Sequence, residues 1–267
     1  MQDPIYAVVV FAAMCVSAAI GFFIHSRLSE KHRAPESIAL VQITITLLVT
    51  FTAIVLGLLT TSVKAGFDAA YSARGDDAAQ LAQLDRCLRD YGPETASIRE
   101  QLRGYVAAVI ASTWPDEPRP VGVLFPDPSK MPLVGESPVL SDILSDVGLE
   151  VRSLKPADAM HERVLADCDQ QYGDLIKARW KVIEGTRASI SAPFYWVLVI
   201  WLAILFGTFG VTARPNAMVA TVMILCALSI TIAVFVILDL DEPYGGLFGV
   251  PSTAMRNALA DMTRAGG

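Results

Sequence analysis

Residues 38–63 read IALVQITITLLVTFTAIVLGLLTTSV, with no charge until Lys64. A helix rising 1.5 Å per residue needs about 20 residues to cross roughly 30 Å of hydrocarbon, and this run exceeds that. A membrane barrel strand is shorter, about 10 residues, and alternates in polarity. This run is continuous, so it predicts a transmembrane helix, whose backbone groups are satisfied within the segment. Three other runs repeat the pattern: Ile5–Ile24, Ile190–Ala213 and Pro215–Leu238. They account for a charged fraction of only 18%, where soluble domains average about a quarter. The residues before Ile5, Met1-Gln2-Asp3-Pro4, include no Lys or Arg. The basic start of a secretory signal is missing, and the first run is expected to stay as a span.

The spans fall into two pairs. His25–Ser37, with Arg27, Lys31 and Arg33, joins the first pair, and Ala213-Arg214-Pro215-Asn216 joins the second. The expected fold is all-α: two transmembrane hairpins, residues 1–65 and 190–240, a helical extramembrane domain of residues 66–189 inserted between them, and a tail of residues 241–267. In the insert, Leu81, Leu84, Leu88 and Tyr91 form one apolar stripe at helical spacing, stopped by Gly92-Pro93. Ile98, Leu102, Tyr105, Val106 and Val109 form a second. Val164, Leu165, Cys168, Tyr172, Leu175 and Ile176 form a third. Residues 114–138 hold seven prolines and read as a loop. The insert carries 14 Lys plus Arg against 20 Asp plus Glu, which argues against a nucleic-acid partner. Of four cysteines, Cys15 and Cys226 sit in spans as small apolar fillers. Cys87 and Cys168 sit in the insert, where an oxidising compartment would let them pair.

Orientation follows from basic residues in short loops. Arg27, Lys31, Arg33 and Arg214 favour those loops inside, which puts the insert on the outer, periplasmic side of an inner membrane. Lys64, Arg74, Lys177, Arg179, Lys181 and Arg187 flank the membrane on the insert side and count the other way. Long domains translocate largely regardless of charge, so the short loops weigh more.

The second span carries the candidate site. At 100° per residue, Gln42, Thr46, Thr50, Gly57, Thr60, Thr61 and Lys64 share about a third of the circumference, with Ala53 on the same stripe. Around a bundle of identical subunits such a face lines a hydrated path, and a ring of Lys at one mouth favours anions. The competing explanation is helix packing through Thr and Gly, with Lys64 reaching for headgroups. Thr44 and Thr52 point elsewhere. At the end of the fourth span, Asp239, Asp241 and Glu242 form an acidic boundary cluster. Its oxygens suit a cation, although a helix end stopped by Pro243 explains them with less. Tyr195 and Trp196 suit an interfacial aromatic belt, and Trp201 lies deeper against a neighbour. Ala13, Ser17 and Gly21, with Ala203 and Gly207, are small residues four apart that permit close helix contact. His25, His32 and His161 belong to no catalytic, phosphate-binding or metal motif, so neither an enzyme nor a cofactor is expected.

Short motifs along most of the chain resemble the bacterial bestrophin-like membrane proteins. They include Gly57-Leu58-Leu59, Ser62 with Lys64, Phe67-Asp68, Leu84-Asp85-Arg86 and Tyr91-Gly92-Pro93-Glu94. Arg179-Trp180, Trp201-Leu202-Ala203, Phe209-Gly210 and Asn216-Ala217 follow, then Leu240-Asp241, Pro243-Tyr244, Gly246-Leu247 and Arg256-Asn257-Ala258-Leu259. Where the family pattern has Pro then Arg before Asn216, this chain reads Arg214-Pro215. The resemblance implies a relation to bestrophins, pentameric chloride channels whose second span lines the pore and whose insert is cytoplasmic. That side is opposite to the one the short loops favour.

Two functions are consistent with these features. The first is an oligomeric channel in the bilayer, conducting small ions and favouring anions, with the second span lining the path. The alternative is a non-conducting anchor whose helical domain binds a protein partner or senses a signal.

Overall fold

A computed structural model describes residues 3–27, 35–132, 135–185, 192–214 and 216–264. Lys31, His32, Arg33, Arg187, Ile190 and Pro215 lie outside the described residues. The described chain is helical: α1 Asp3–Arg27, α2 Pro35–Tyr91, α3 Ala96–Thr113, α4 Pro138–Ser153, α5 Ala159–Gly185, α6 Ala192–Thr212, α7 Ala217–Asp241 and α8 Thr253–Arg264. No strand occurs among the described residues. Four of these helices, α1, α2, α6 and α7, contain stretches long and apolar enough to cross a membrane. This is a membrane protein.

The chain divides into two compact units, residues 1–65 with 189–248 and residues 66–188 with 249–267. In the first, α1 packs against α6 and α7. It buries Ala7, Val10, Met14 and Ala18 at three- and four-residue spacing and turns Ile5, Val9, Val16, Ile20 and Phe23 outward, as a helix with lipid on one side must. The small residues face each other. Ser17 Oγ donates to the Ala203 carbonyl at 2.5 Å, and a Cβ on Gly21 would meet the Gly210 Cα at 2.9 Å. Only glycine lets these two backbones approach so closely. His25 Nδ1–H donates to the Val211 carbonyl at 2.7 Å at the end of the same contact. Tyr195 is buried against its own chain. Its hydroxyl donates to the Tyr6 carbonyl at 2.9 Å, while Trp196 remains half exposed. Trp201 meets Phe51 of α2 edge-on, with ring centroids 6.3 Å apart.

In the second unit, the predicted stripes on α2, α3 and α5 form one core around Leu81, Leu84, Leu102, Ile110 and Leu175. Gly92 stops α2 because its φ of +142° is open to glycine and Pro93 cannot continue the ladder. Thr95 Oγ1 closes the turn by donating to the Leu88 and Gly92 carbonyls. Cys87 and Cys168 are disulfide-bonded, joining α2 to α5. Two further helices contribute, one in a stretch to which the sequence pattern assigned no element and one in the tail. The first is α4, capped by Ser137 and started by Pro138, whose Leu144, Val147 and Val151 enter the core. The second is α8, whose Met255, Ala258 and Met262 pack into it.

Candidate pore-lining face

Inside the second span, α2 runs unbroken, so the stripe chosen from the sequence is one continuous face. Gln42, Thr46, Thr50, Ala53, Gly57, Thr60, Thr61 and Lys64 are all exposed in the single chain. Only 6% of the most apolar stretch of this span is buried, against 39% for the third span. Gln42, Thr46 and Thr50 line a shallow groove of about 530 Å³ with Ala39, Ile43 and Leu47. Thr52, off the stripe, is buried.

The stripe's hydroxyls are satisfied within α2. Thr46, Thr50, Thr60 and Thr61 donate to the carbonyls of Gln42, Thr46, Leu56 and Gly57 at 2.7 to 3.0 Å. Thr44 and Thr52 do the same, to Leu40 and Leu48. A Thr bonded back one turn lets a span carry a polar face without unsatisfied donors. It turns an oxygen lone pair and a methyl outward, so an approaching anion meets a donor only after the hydroxyl rotates.

At the boundary, Asp239 is 2% exposed and serves the backbone. Its oxygens accept from the Leu247 N–H at 2.8 and 3.1 Å and from the Phe248 N–H at 2.9 Å. Gly246, at φ +68°, leaves the room this loop needs: a Cβ there would fall on the Asp239 carboxylate. Asp241 is half buried and Glu242 exposed. No group of three or more His, Cys, Asp or Glu among the described residues is arranged to hold a metal ion.

A cluster the sequence reading missed lies in the second unit. Asp77 is 1% exposed and accepts from Arg74 at 3.3 Å. Arg179 is also buried, its guanidinium 6.0 Å above the Tyr105 ring. Arg74 lies over Trp114 at 5.5 Å, and the indole N–H donates to the Val250 carbonyl. Burial raises the Asp77 carboxyl pKa, and the two arginines pull against that rise. Burial also raises the Tyr105 hydroxyl pKa. The Asp77 Oδ1 has no partner among the described residues. The available signal was charge at helical spacing on an apolar stripe: Asp77 stands one turn before Leu81 on the same helix face. Beside the cluster, Glu117 joins the C-terminal segment to the loop after α3 by accepting from Ser252 and Arg256. Chiefly the Ser252 bond lowers its pKa.

A family model for the bestrophin-like domain matches residues 11–255. The chain belongs to the bestrophin-like family. Among solved structures, a crystal structure of a bacterial bestrophin homologue from Klebsiella pneumoniae, in a Trp-to-Ala variant, shares 14% identity at a TM-score of 0.71. The match covers 99% of this chain and 98% of that one. A Tyr-to-Ala variant from the same organism gives 15% and 0.70, covering 97% and 100%. A structure described as a membrane protein, in a Pro-to-Ala variant, gives 16% and 0.65, covering 97% and 98%. At these identities the likeness is one of fold. No match arises among curated proteins. The stripe on α2 is a long polar-bearing face of a span that the described chain leaves open.

Proposed function

We propose that this bestrophin-like protein is an oligomeric channel of the bacterial inner membrane that passes small anions along α2. Its spans form two hairpins, residues 1–65 and 190–240, on either side of the extramembrane domain of residues 66–189. The observation that carries this is the open face from Gln42 to Lys64. An apolar span that stays exposed in its own chain meets either lipid or other copies. Gln42, four hydroxyls and Lys64 on one side suit an aqueous path better than hydrocarbon. Family membership supports the same reading, because bestrophin homologues are known as oligomeric anion channels. Five copies, the bestrophin number, would bring five Lys64 side chains to one mouth.

The test is chloride flux from liposomes holding the purified protein. Removing a charge 8–15 Å from the ion path, at an effective dielectric near 20, changes the ion's energy by about 1–2 kcal/mol. Lys64→Gln should lower chloride flux on the order of tenfold, and Lys64→Glu should move selectivity toward cations. Thr50→Val keeps the volume of the side chain and removes its oxygen, so it should also slow flux. Wild-type flux from all three variants would remove α2 from the path, and no flux from the wild type would favour the anchor.

A further inference from the structure

We infer that Cys87 and Cys168 are a disulfide modification site in the cell, filled by exchange with an oxidising thiol–disulfide protein, so that the extramembrane unit folds on the oxidising side of the membrane. This goes beyond the channel reading and stands whether or not ions pass. The two cysteines are 81 residues apart in sequence and come from different helices, yet their Cα atoms lie 5.6 Å apart, within the range that admits a disulfide. Cys168 is fully buried and Cys87 is 8% exposed, both inside the core that holds the second unit together. The remaining cysteines, Cys15 and Cys226, are in spans and unpaired. Disulfides persist in the bacterial periplasm and are rare in the cytosol, where thiols are kept reduced. The loop charges agree independently. Chain order sets the loops holding Arg27, Lys31, Arg33 and Arg214 on the side opposite the insert, and basic short loops stay inside. Together these oppose the cytoplasmic insert of the bestrophins.

The chemistry is a two-step exchange. One cysteine thiolate attacks the donor's disulfide, forming a mixed disulfide and releasing one donor thiolate. The second cysteine thiolate attacks the mixed disulfide at the sulfur of the first, forming the Cys87–Cys168 bond and releasing the other donor thiolate. Two electrons pass to the donor, and the two cysteine protons reappear on its thiols. Burial of both sulfurs means the exchange occurs before the core closes.

The experiment uses the full-length chain carrying Cys15→Ala and Cys226→Ala, expressed in cells that possess or lack the periplasmic thiol oxidase. Cells are quenched in acid, and free thiols are blocked with N-ethylmaleimide in SDS. Membranes are then reduced and treated with a polyethylene-glycol maleimide. The expected result is two added tags in oxidase-containing cells, none without the reduction step, and none in cells lacking the oxidase. Absence of tags in oxidase-containing cells would mean both thiols had been free, and would overturn the inference. Two tags in both strains would overturn the exchange donor. The gel does not read flux, so its failure and that of the channel are distinguishable.

Discussion

Asp77 is the residue whose chemistry is most constrained. It is buried with two arginines, and burial raises its pKa above the ordinary carboxylate value of 3.8. The folded state therefore holds the proton more tightly than the unfolded chain does. That contribution is fully present below about pH 3.8 and is lost as pH rises through the folded value. Asp77→Asn has no such proton, so wild type should lose stability relative to this variant as pH rises from about 4. Melting temperatures of both proteins in detergent across that range would reveal it, and the opposite slope would mean that Arg74 and Arg179 outweigh desolvation. Asp77→Ala is a different case. Both substitutions remove the carboxylate that Arg74 and Arg179 face, but Ala also removes the oxygen to which Arg74 donates at 3.3 Å, and removing one partner of a buried ionic group costs about 3–5 kcal/mol. No sequence pattern exposes this difference, because it depends on Arg179 arriving from a helix about a hundred residues away.

Two glycines separate close helix packing from an open face. Placing Ala for Gly inside a helix ordinarily stabilises by about 0.5–1 kcal/mol. At Gly57 nothing lies within 4 Å of the new methyl group, so Gly57→Ala should keep that gain. At Gly21 the methyl would press on the backbone of α6 at Gly207 and Gly210, which cannot retreat as a flexible side chain can. Gly21→Ala should lower the melting temperature of the detergent-solubilised protein, and Gly57→Ala should leave it unchanged or raise it. Equal effects would mean that α1 and α6 do not cross this closely. The sequence carried the spacing of small residues and the presence of four apolar helices, since both are local and periodic. It also carried the stripes of α2, α3 and α5 and the continuous face of α2. It concealed α4, although Leu140, Leu144, Val147 and Val151 have helical spacing, because the proline-rich loop just upstream, with six prolines before Pro138, drew the reading away from a short helix behind it. It concealed the role of Asp239 as well, since acceptance from the Leu247 and Phe248 N–H groups exists only once the chain has turned at Gly246.

For the whole molecule, the decisive contrast is between spans. The third span is 39% buried in the single chain and the second 6%, although both must lie in the same bilayer. Lipid can cover Leu40, Ile43, Leu47, Ile54 and Leu58, which are exposed and apolar. It covers Gln42 less well, since an amide in hydrocarbon requires a partner or a route to water. Self-association resolves the conflict: with several copies around an axis, apolar flanks of α2 meet neighbours and the stripe faces an aqueous centre. Native mass spectrometry of the protein released from detergent should then give five subunits, the bestrophin number. Imaging of the same particles should find five α2 helices nearest the axis, with Gln42 and Lys64 at opposite ends of the lumen. A monomer, or a dimer lacking an axial cavity, would leave the stripe facing lipid. The Thr hydroxyls bonded to their own helix would then be a way of tolerating that exposure, and not the lining of a path.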